Sequence, residues 1–159
     1  MHVAQEVSVL RRCLGHFATG VTVVTYFGAS APDGVTVNSF TSVSLDPPLV
    51  LICLDKRSKA IPLIVESRFA INVLSAGQRD IARHFGGRPL RDMGAEEWRY
   101  RNGIPHLSQS LALLICEPES KHDGGDHDII VARVADFEVA SAHPLCFFKG
   151  EFVDLLPHP

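Results

Sequence analysis

Basic residues are in short supply: 15 lysines and arginines stand against 18 aspartates and glutamates, a formal net charge of −3. Proteins that bind nucleic acid or anionic membranes present a basic face, so neither partner is expected. Long hydrophobic runs are also missing, and none approaches the roughly 20 residues that cross a bilayer. The opening residues, Met1-His-Val-Ala-Gln-Glu6, lack the basic start and apolar middle of a signal peptide, which points to a cytoplasmic location. Only four cysteines occur, Cys13, Cys53, Cys116 and Cys146, and their wide spacing fits no C-x-x-C metal or redox motif. Cys53 and Cys116 sit in apolar runs, where a thiol acts as a small core hydrophobe. Structural thiols in a reducing compartment are expected. Absent too are G-x-x-x-x-G-K-[ST], a strand-borne G-x-G-x-x-G and G-x-S-x-G. That removes P-loop and Rossmann phosphate binding and an α/β-hydrolase nucleophile.

What is present is enough apolar sequence for one core. At 159 residues and 46% apolar, the chain makes a single domain, 1–159, and no linker, charge block or repeat divides it. Val3, Val7, Leu10 and Leu14 follow helical spacing and predict an opening amphipathic helix that ends near Gly15. Val21 to Tyr26 is a β-branched strand, with further strands over about 35–45, 49–54, 69–74, 111–117, 129–139 and 145–155. A short helix begins at Ser58, and Ser75-Ala-Gly-Gln78 is a capping box that starts another helix reaching Phe85. Gly86 to Pro105 reads as a loop anchored by Trp98. Mostly short turns between strands predict a mainly antiparallel, closed β-barrel with peripheral helices, since closure removes exposed edges.

The most informative stretch runs from Asp33 to Ser58. Thr36, Asn38, Ser42 and Ser44 place polar groups along one side of a strand, as the two-residue period requires. Asp46-Pro47-Pro48 breaks it, the apolar strand Leu49–Leu54 follows, and Asp55-Lys-Arg-Ser58 closes the segment. Lys56, Arg57 and Lys59 are either a solvated charged turn or, with Ser58 at a helix N-terminus, a phosphate site. Arg83, His84 and Arg88 form a second, less specific basic rim. No arginine constellation suited to a 2′-phosphate is evident.

The second polar cluster is His122-Asp-Gly-Gly-Asp-His-Asp128. Its two glycines allow a tight turn between strands. Three readings compete. A metal site lacks a closed ligand set, a plain polar turn needs no function, and the third makes Asp126 orient His127 toward a ligand, fixing its tautomer.

Several segments, taken in order, resemble the short-chain flavin reductases, the reductase partners of two-component flavin-dependent monooxygenases. They are Phe17-Ala-Thr-Gly-Val-Thr-Val-Val-Thr25, Gly34-Val-Thr-Val-Asn-Ser-Phe40, Ser42-Val-Ser-Leu-Asp-Pro-Pro-Leu-Val50, Phe69-Ala-Ile-Asn-Val-Leu74, Gly125-Asp-His127 and Pro144-Leu-Cys-Phe-Phe-Lys-Gly150. The resemblance covers about residues 10–152. It implies a split β-barrel that binds FMN or FAD, takes NADH or NADPH as electron donor, and pairs as a homodimer. It also implies release of diffusible reduced flavin to a partner monooxygenase.

By position, the resemblance implies that Val35, Thr36, Val37, Asn38 and Ser39 line the isoalloxazine and ribityl chain. Leu54, Asp55, Lys56 and Ser58 would follow the ribityl–phosphate side, and Phe85 would flank the flavin. His127, oriented by Asp126, forms the candidate catalytic pair at the nicotinamide, and Phe148 shapes that pocket. The hydroxyls of Thr36 and Ser39 are expected to donate to the reduced flavin. The family often has Met at Val35, hydroxylated aromatics at Phe147 and Phe148, and Gly at Ala132. Two rival functions fit the same barrel: flavin binding without turnover, or a reductase whose final acceptor is ferric iron or a cobalt corrinoid. A pyridoxine-type oxidase expects a more basic phosphate site than Lys56, Arg57 and Lys59.

Overall fold

Strand β2 (Thr22–Phe27) sets the architecture, because its residues Thr22 through Tyr26 are all buried and pack on both faces. Val24 and Tyr26 join one core cluster with Ile52, Ile64, Phe69 and Ile130. Val23 faces the other way, into a second cluster with Leu74, Phe85, Leu107 and Leu145. A strand buried on both sides reads as a continuous β-branched run, which Val-Thr-Val-Val-Thr is.

The computed structural model describes residues 2–89 and 93–155. Helix α1 (His2–Leu14) opens the chain, as its spacing predicts, although the side chain of Val3 lies outside the described residues. After the two-residue strand β1 (Thr19–Gly20) and β2 come β3 (Pro32–Val37), β4 (Thr41–Leu45) and β5 (Pro48–Asp55). Helix α2 (Ile61–Glu66) leads to β6 (Phe69–Val73), and a 3₁₀ turn feeds α3 (Arg79–Phe85). Strands β7 (Trp98–Arg101), β8 (Ile104–Leu107), β9 (Ala112–Gly124), β10 (His127–Val139), β11 (Cys146–Phe148) and β12 (Glu151–Val153) complete the order.

Seven strands form one sheet in the order β3-β2-β6-β9-β10-β5-β4, with every pairing antiparallel. Its two edges, β3 and β4, are consecutive in the chain and joined only by Asn38-Ser39-Phe40. So short a link forces the sheet to curl until its edges approach. Among the described residues no β3–β4 ladder forms, so in place of the closed barrel expected from the strand pattern the fold is the split barrel that the resemblance implies, open along this seam. Ser39 spans it, donating its hydroxyl to the Cys53 carbonyl at 2.9 Å and accepting from the Cys53 N–H at 2.9 Å.

Three further expectations change. The single strand over 35–45 is two strands, broken at the seam. The 145–155 strand is a small hairpin, turned at Lys149 (φ 51°) and Gly150 (φ 86°), that pairs with β1. The segment from Gly86 to Pro105, read as a loop, contains β7, which pairs with β8 in a two-stranded sheet. Trp98 does anchor it, meeting the Phe85 ring edge-on at 6.0 Å. The hairpin hangs on the main sheet through buried polar groups. Asn72 accepts from the Leu107 N–H at 2.8 Å and donates to the Val23 carbonyl at 2.9 Å and to Thr25 Oγ1 at 3.0 Å. Thr25 in turn donates to the Pro105 carbonyl at 2.7 Å.

Candidate active site

A cleft of about 330 Å³ opens along the barrel seam, walled by β3, the end of β5 and the start of β10. Its lining includes Val35, Thr36, Val37, Asn38 and Ser39 on one side and Leu54, Asp55 and Ser58 on the other. His127 and Cys53 complete the lining. Of the positions expected at a flavin, these eight come together although the two walls lie far apart in sequence. Because β3 is an edge strand, every other main-chain N–H and C=O along it is left without a ladder partner. A flat heterocycle with its own donors and acceptors fits such an edge.

Hydroxyl chemistry differs from expectation. Thr36 Oγ1 donates to the Ala82 carbonyl at 2.8 Å, and Ser39 donates to Cys53. A hydroxyl carries one proton, so neither can also donate to a bound ring. Main-chain N–H groups and the Asn38 side-chain amide remain as donors on this wall. Burial pushes the Cys53 thiol up, which keeps it protonated and unreactive.

The phosphate turn is also rearranged. Lys56 is ion-paired with Asp123, and Arg57 is paired with Asp55 at 2.7 Å. Both cations are therefore committed to carboxylates. Ser58 stays on the cleft, its Oγ accepting from the Ala60 N–H at 3.3 Å with its proton not spent, and exposed Lys59 adds a cation nearby. Helix α2 starts at Ile61, later than expected, and the residue before it, Ala60, offers no side-chain cap. Hydrogen bonds from Arg57 hold the Asp55 carboxyl well below the usual carboxylate range; those from Lys56 and His127 lower Asp123 and Asp126. Groups whose folded pKa is depressed keep their pairings at neutral pH and lose them as pH falls through and below about 4.

Gly125 (φ 78°) turns β9 into β10 and delivers His127 opposite Asp55 in the β5–β10 ladder. The Asp126 carboxylate lies 2.7 Å from His127 Nδ1. Carboxylates only accept, so Nδ1 is the donor to Asp126 and, in the neutral ring, Nε2 is the acceptor; His127 itself lines the cleft. His122 does not join it, meeting Ser120 at 2.9 Å instead.

Two expected residues stand elsewhere. Phe85 lies behind the cleft wall: it is 9% exposed, and a Cβ on Gly34 would approach its ring to 3.1 Å and Val23 to 3.0 Å. It braces β3 from the core side. Gly34→Val is accordingly expected to overpack that contact and cost about 1–3 kcal/mol, read as a lowered thermal midpoint. Phe148 meets His16 edge-on at 6.1 Å, with the Lys149 ammonium 5.1 Å above its ring. Its neighbour Phe147, pointing the opposite way along β11, lines two larger cavities that adjoin the cleft at Asn38. One, about 970 Å³, is bounded by Leu14, Phe17 and Phe40. The other, about 790 Å³, brings together Arg79, Arg83 and Arg88 with Phe147 and Phe152. The sequence singled out Arg83 and Arg88 only as a vague rim. Arg79 and Phe152 were missed, although Arg79 and Arg83 have the i, i+4 spacing of one helix face.

Known proteins share the sequence and the fold. The family described as "Flavin reductase like domain" matches residues 14–156. A "Probable flavin reductase" of Rhizobium meliloti is 46% identical over 147 residues, which are 90% of this chain but 47% of that protein's own length. The reductase subunit HsaB of a flavin-dependent monooxygenase from Mycobacterium tuberculosis is 36% identical over 92% of this chain and 81% of its own. Among solved structures, the Streptomyces globisporus NADH:FAD oxidoreductase SgcE6, in complex with NAD and FAD fragments, superposes with a TM-score of 0.87. It is 37% identical and covers 96% of this chain and 94% of that one.

Proposed function

The chain belongs to the flavin reductase-like family and is an NADH-dependent flavin reductase; we propose that the seam cleft is where flavin and nicotinamide meet. One observation carries this reading: the free edge of β3, the Ser58 turn and the Asp126-held His127 converge on a single cleft. Flavin bound there would supply the redox chemistry of hydride transfer from a nicotinamide. The protein's own part is placement and electrostatics. Main-chain N–H groups of β3 would hold the ring edge and stabilise the negative charge of the reduced flavin. Ser58 and Lys59 hold the phosphate, with Lys56 and Arg57 shaping the turn rather than contacting it. His127 Nε2 accepts from the nicotinamide carboxamide and sets the donor's angle, with Asp126 fixing its tautomer. FMN or FAD is the acceptor and NADH the donor.

Reduced flavin then leaves for a partner monooxygenase. Support comes from relatives that are themselves monooxygenase subunits and from a cleft open along the seam. A coupled assay tests it: with a flavin-dependent monooxygenase added, hydroxylated product should form although sedimentation detects no complex. Product formation that requires a stable complex would contradict release by diffusion.

The same reading places residues 1–159 in one domain and pairs two chains. Leu10 is 56% exposed, Leu14 64%, Phe17 78% and Leu45 89%. Leu14 and Phe17 border the 970 Å³ cavity with Phe40, so α1 and the start of β4 present one apolar face suited to a second copy. None of the four cysteines is in a disulfide, and no helix among the described residues is long and apolar enough to cross a membrane. Both fit the cytoplasm.

A further inference from the structure

Two turns far apart in sequence meet at Lys56. One is the phosphate turn at the end of β5, built on Asp55: its carbonyl accepts from the Ser58 N–H at 2.8 Å and its carboxylate from the Arg57 N–H at 2.8 Å. The other is the β9–β10 turn, which ends on His127. The Lys56 N–H donates to the Asp126 carbonyl at 3.1 Å, and the Lys56 ammonium is ion-paired with the Asp123 carboxylate. Asp123 also accepts from the Gly125 N–H inside its own turn. One carboxylate thus braces that turn and ties it to the end of β5.

The surrounding charges leave Lys56 this one role. Asp126 and Asp128 also face its ammonium, but Asp126 holds His127 Nδ1 at 2.7 Å and Asp128 is met by Lys121 at 3.2 Å. Asp128 is 8% exposed and, as the next residue on the strand, points to the opposite face of β10 from His127. The β5–β10 ladder ends at the Asp55–His127 pair, and His127 also stands opposite Gly124 on β9. The imidazole therefore sits between the two turns, just where the ladder stops holding them and the bonds of Lys56 take over. Neither Lys56 nor Asp123 lines the cleft, so their pairing acts through His127 and not on a bound molecule.

We propose that Lys56 is a positioning residue for NADH: paired with Asp123, it holds the His127 imidazole in register with the flavin-phosphate turn. The inference deepens the reductase reading and rests on it, and the two can fail separately.

Steady-state NADH oxidation at saturating FMN tests it on the intact protein. Lys56 is 41% and Asp123 77% exposed, so solvent screens the pair. Lys56→Met and Asp123→Asn should each raise KM for NADH about two- to fivefold, the scale of an exposed ion pair, with kcat nearly unchanged. The shared direction is diagnostic. NADH is an anion, so simple attraction predicts that losing the lysine weakens its capture and losing the aspartate strengthens it. Lys56→Arg should keep KM close to wild type. In a His127→Ala background Lys56→Met should add nothing, because the group it positions is gone. Arg68→Met breaks a comparably exposed pair with Glu117 farther along β9 and should leave KM unaltered.

Opposite shifts in Lys56→Met and Asp123→Asn, or a further loss in the His127→Ala background, would overturn the proposal. So would weakened FMN binding with an unmoved KM for NADH, which makes Lys56 a phosphate ligand. A second readout needs no turnover: the ring signals of His127 in the NMR spectrum of the ligand-free protein should shift and broaden in Lys56→Met and Asp123→Asn, but not in Arg68→Met. Signals that stay as in wild type refute the positioning role. A wild-type protein that oxidises no NADH removes the reductase reading, while these signals still decide whether Lys56 places the imidazole.

Discussion

His127→Ala is expected to lower kcat/KM for NADH about 10- to 100-fold, the scale on which misplacing a reactant costs rate. Most of the change should fall on KM, because the imidazole positions the donor and does not supply the hydride. Flavin affinity should hold, since β3 and the Ser58 turn bind that ring without His127. Asp126→Asn should fall between wild type and His127→Ala: the amide can still accept from Nδ1–H, but it no longer carries the charge that favours that tautomer. Steady-state kinetics on both variants, with flavin binding followed by fluorescence, separate these effects. NADH kinetics unaltered in His127→Ala would take this residue out of the donor site.

The second large effect is on stability. Asn72 is fully buried and satisfies three groups at once, the Leu107 N–H, the Val23 carbonyl and Thr25 Oγ1. Asn72→Leu keeps the forked shape, with bulkier methyl groups in place of the amide, and strands the Leu107 N–H and the Val23 carbonyl away from water, while Thr25 keeps its bond to Pro105. Each orphaned group costs about 1–3 kcal/mol, so the two together cost about 2–6 kcal/mol. For a chain of this size that is a fall of roughly 10 °C in melting temperature. The loss should concentrate in the β7–β8 hairpin, visible as lost amide protection there before the main sheet opens. A melting temperature within about 2 °C of wild type would show that the hairpin does not depend on this network.

How much of this was legible in the sequence depends on how local the cause was. The polar stripe on β3 and the apolar β5 are period-two patterns, and the Gly125 turn needs a left-handed residue; all three could be read directly. The β7–β8 hairpin was missed behind its Arg and Pro content. Its own signal was there, since Asn102-Gly103 (φ 51° and 79°) is the residue pair a tight hairpin turn favours. The committed hydroxyls of Thr36 and Ser39 were not readable, because their acceptors, Ala82 and Cys53, arrive from other elements. The same holds for Lys56, captured by Asp123 across the turn. Likewise, Phe152 reaches the α3 arginines only because the β11–β12 hairpin folds back beside them. Spacing located the site; topology decided which groups in it are free.

The most direct test of the account is steady-state oxidation of NADH and NADPH by the purified protein with FMN, FAD or riboflavin added. Flavin-dependent oxidation is expected, faster with NADH than with NADPH, and suppressed in His127→Ala. Tight flavin binding with no oxidation of either nicotinamide would contradict it and leave a flavin-binding barrel without turnover.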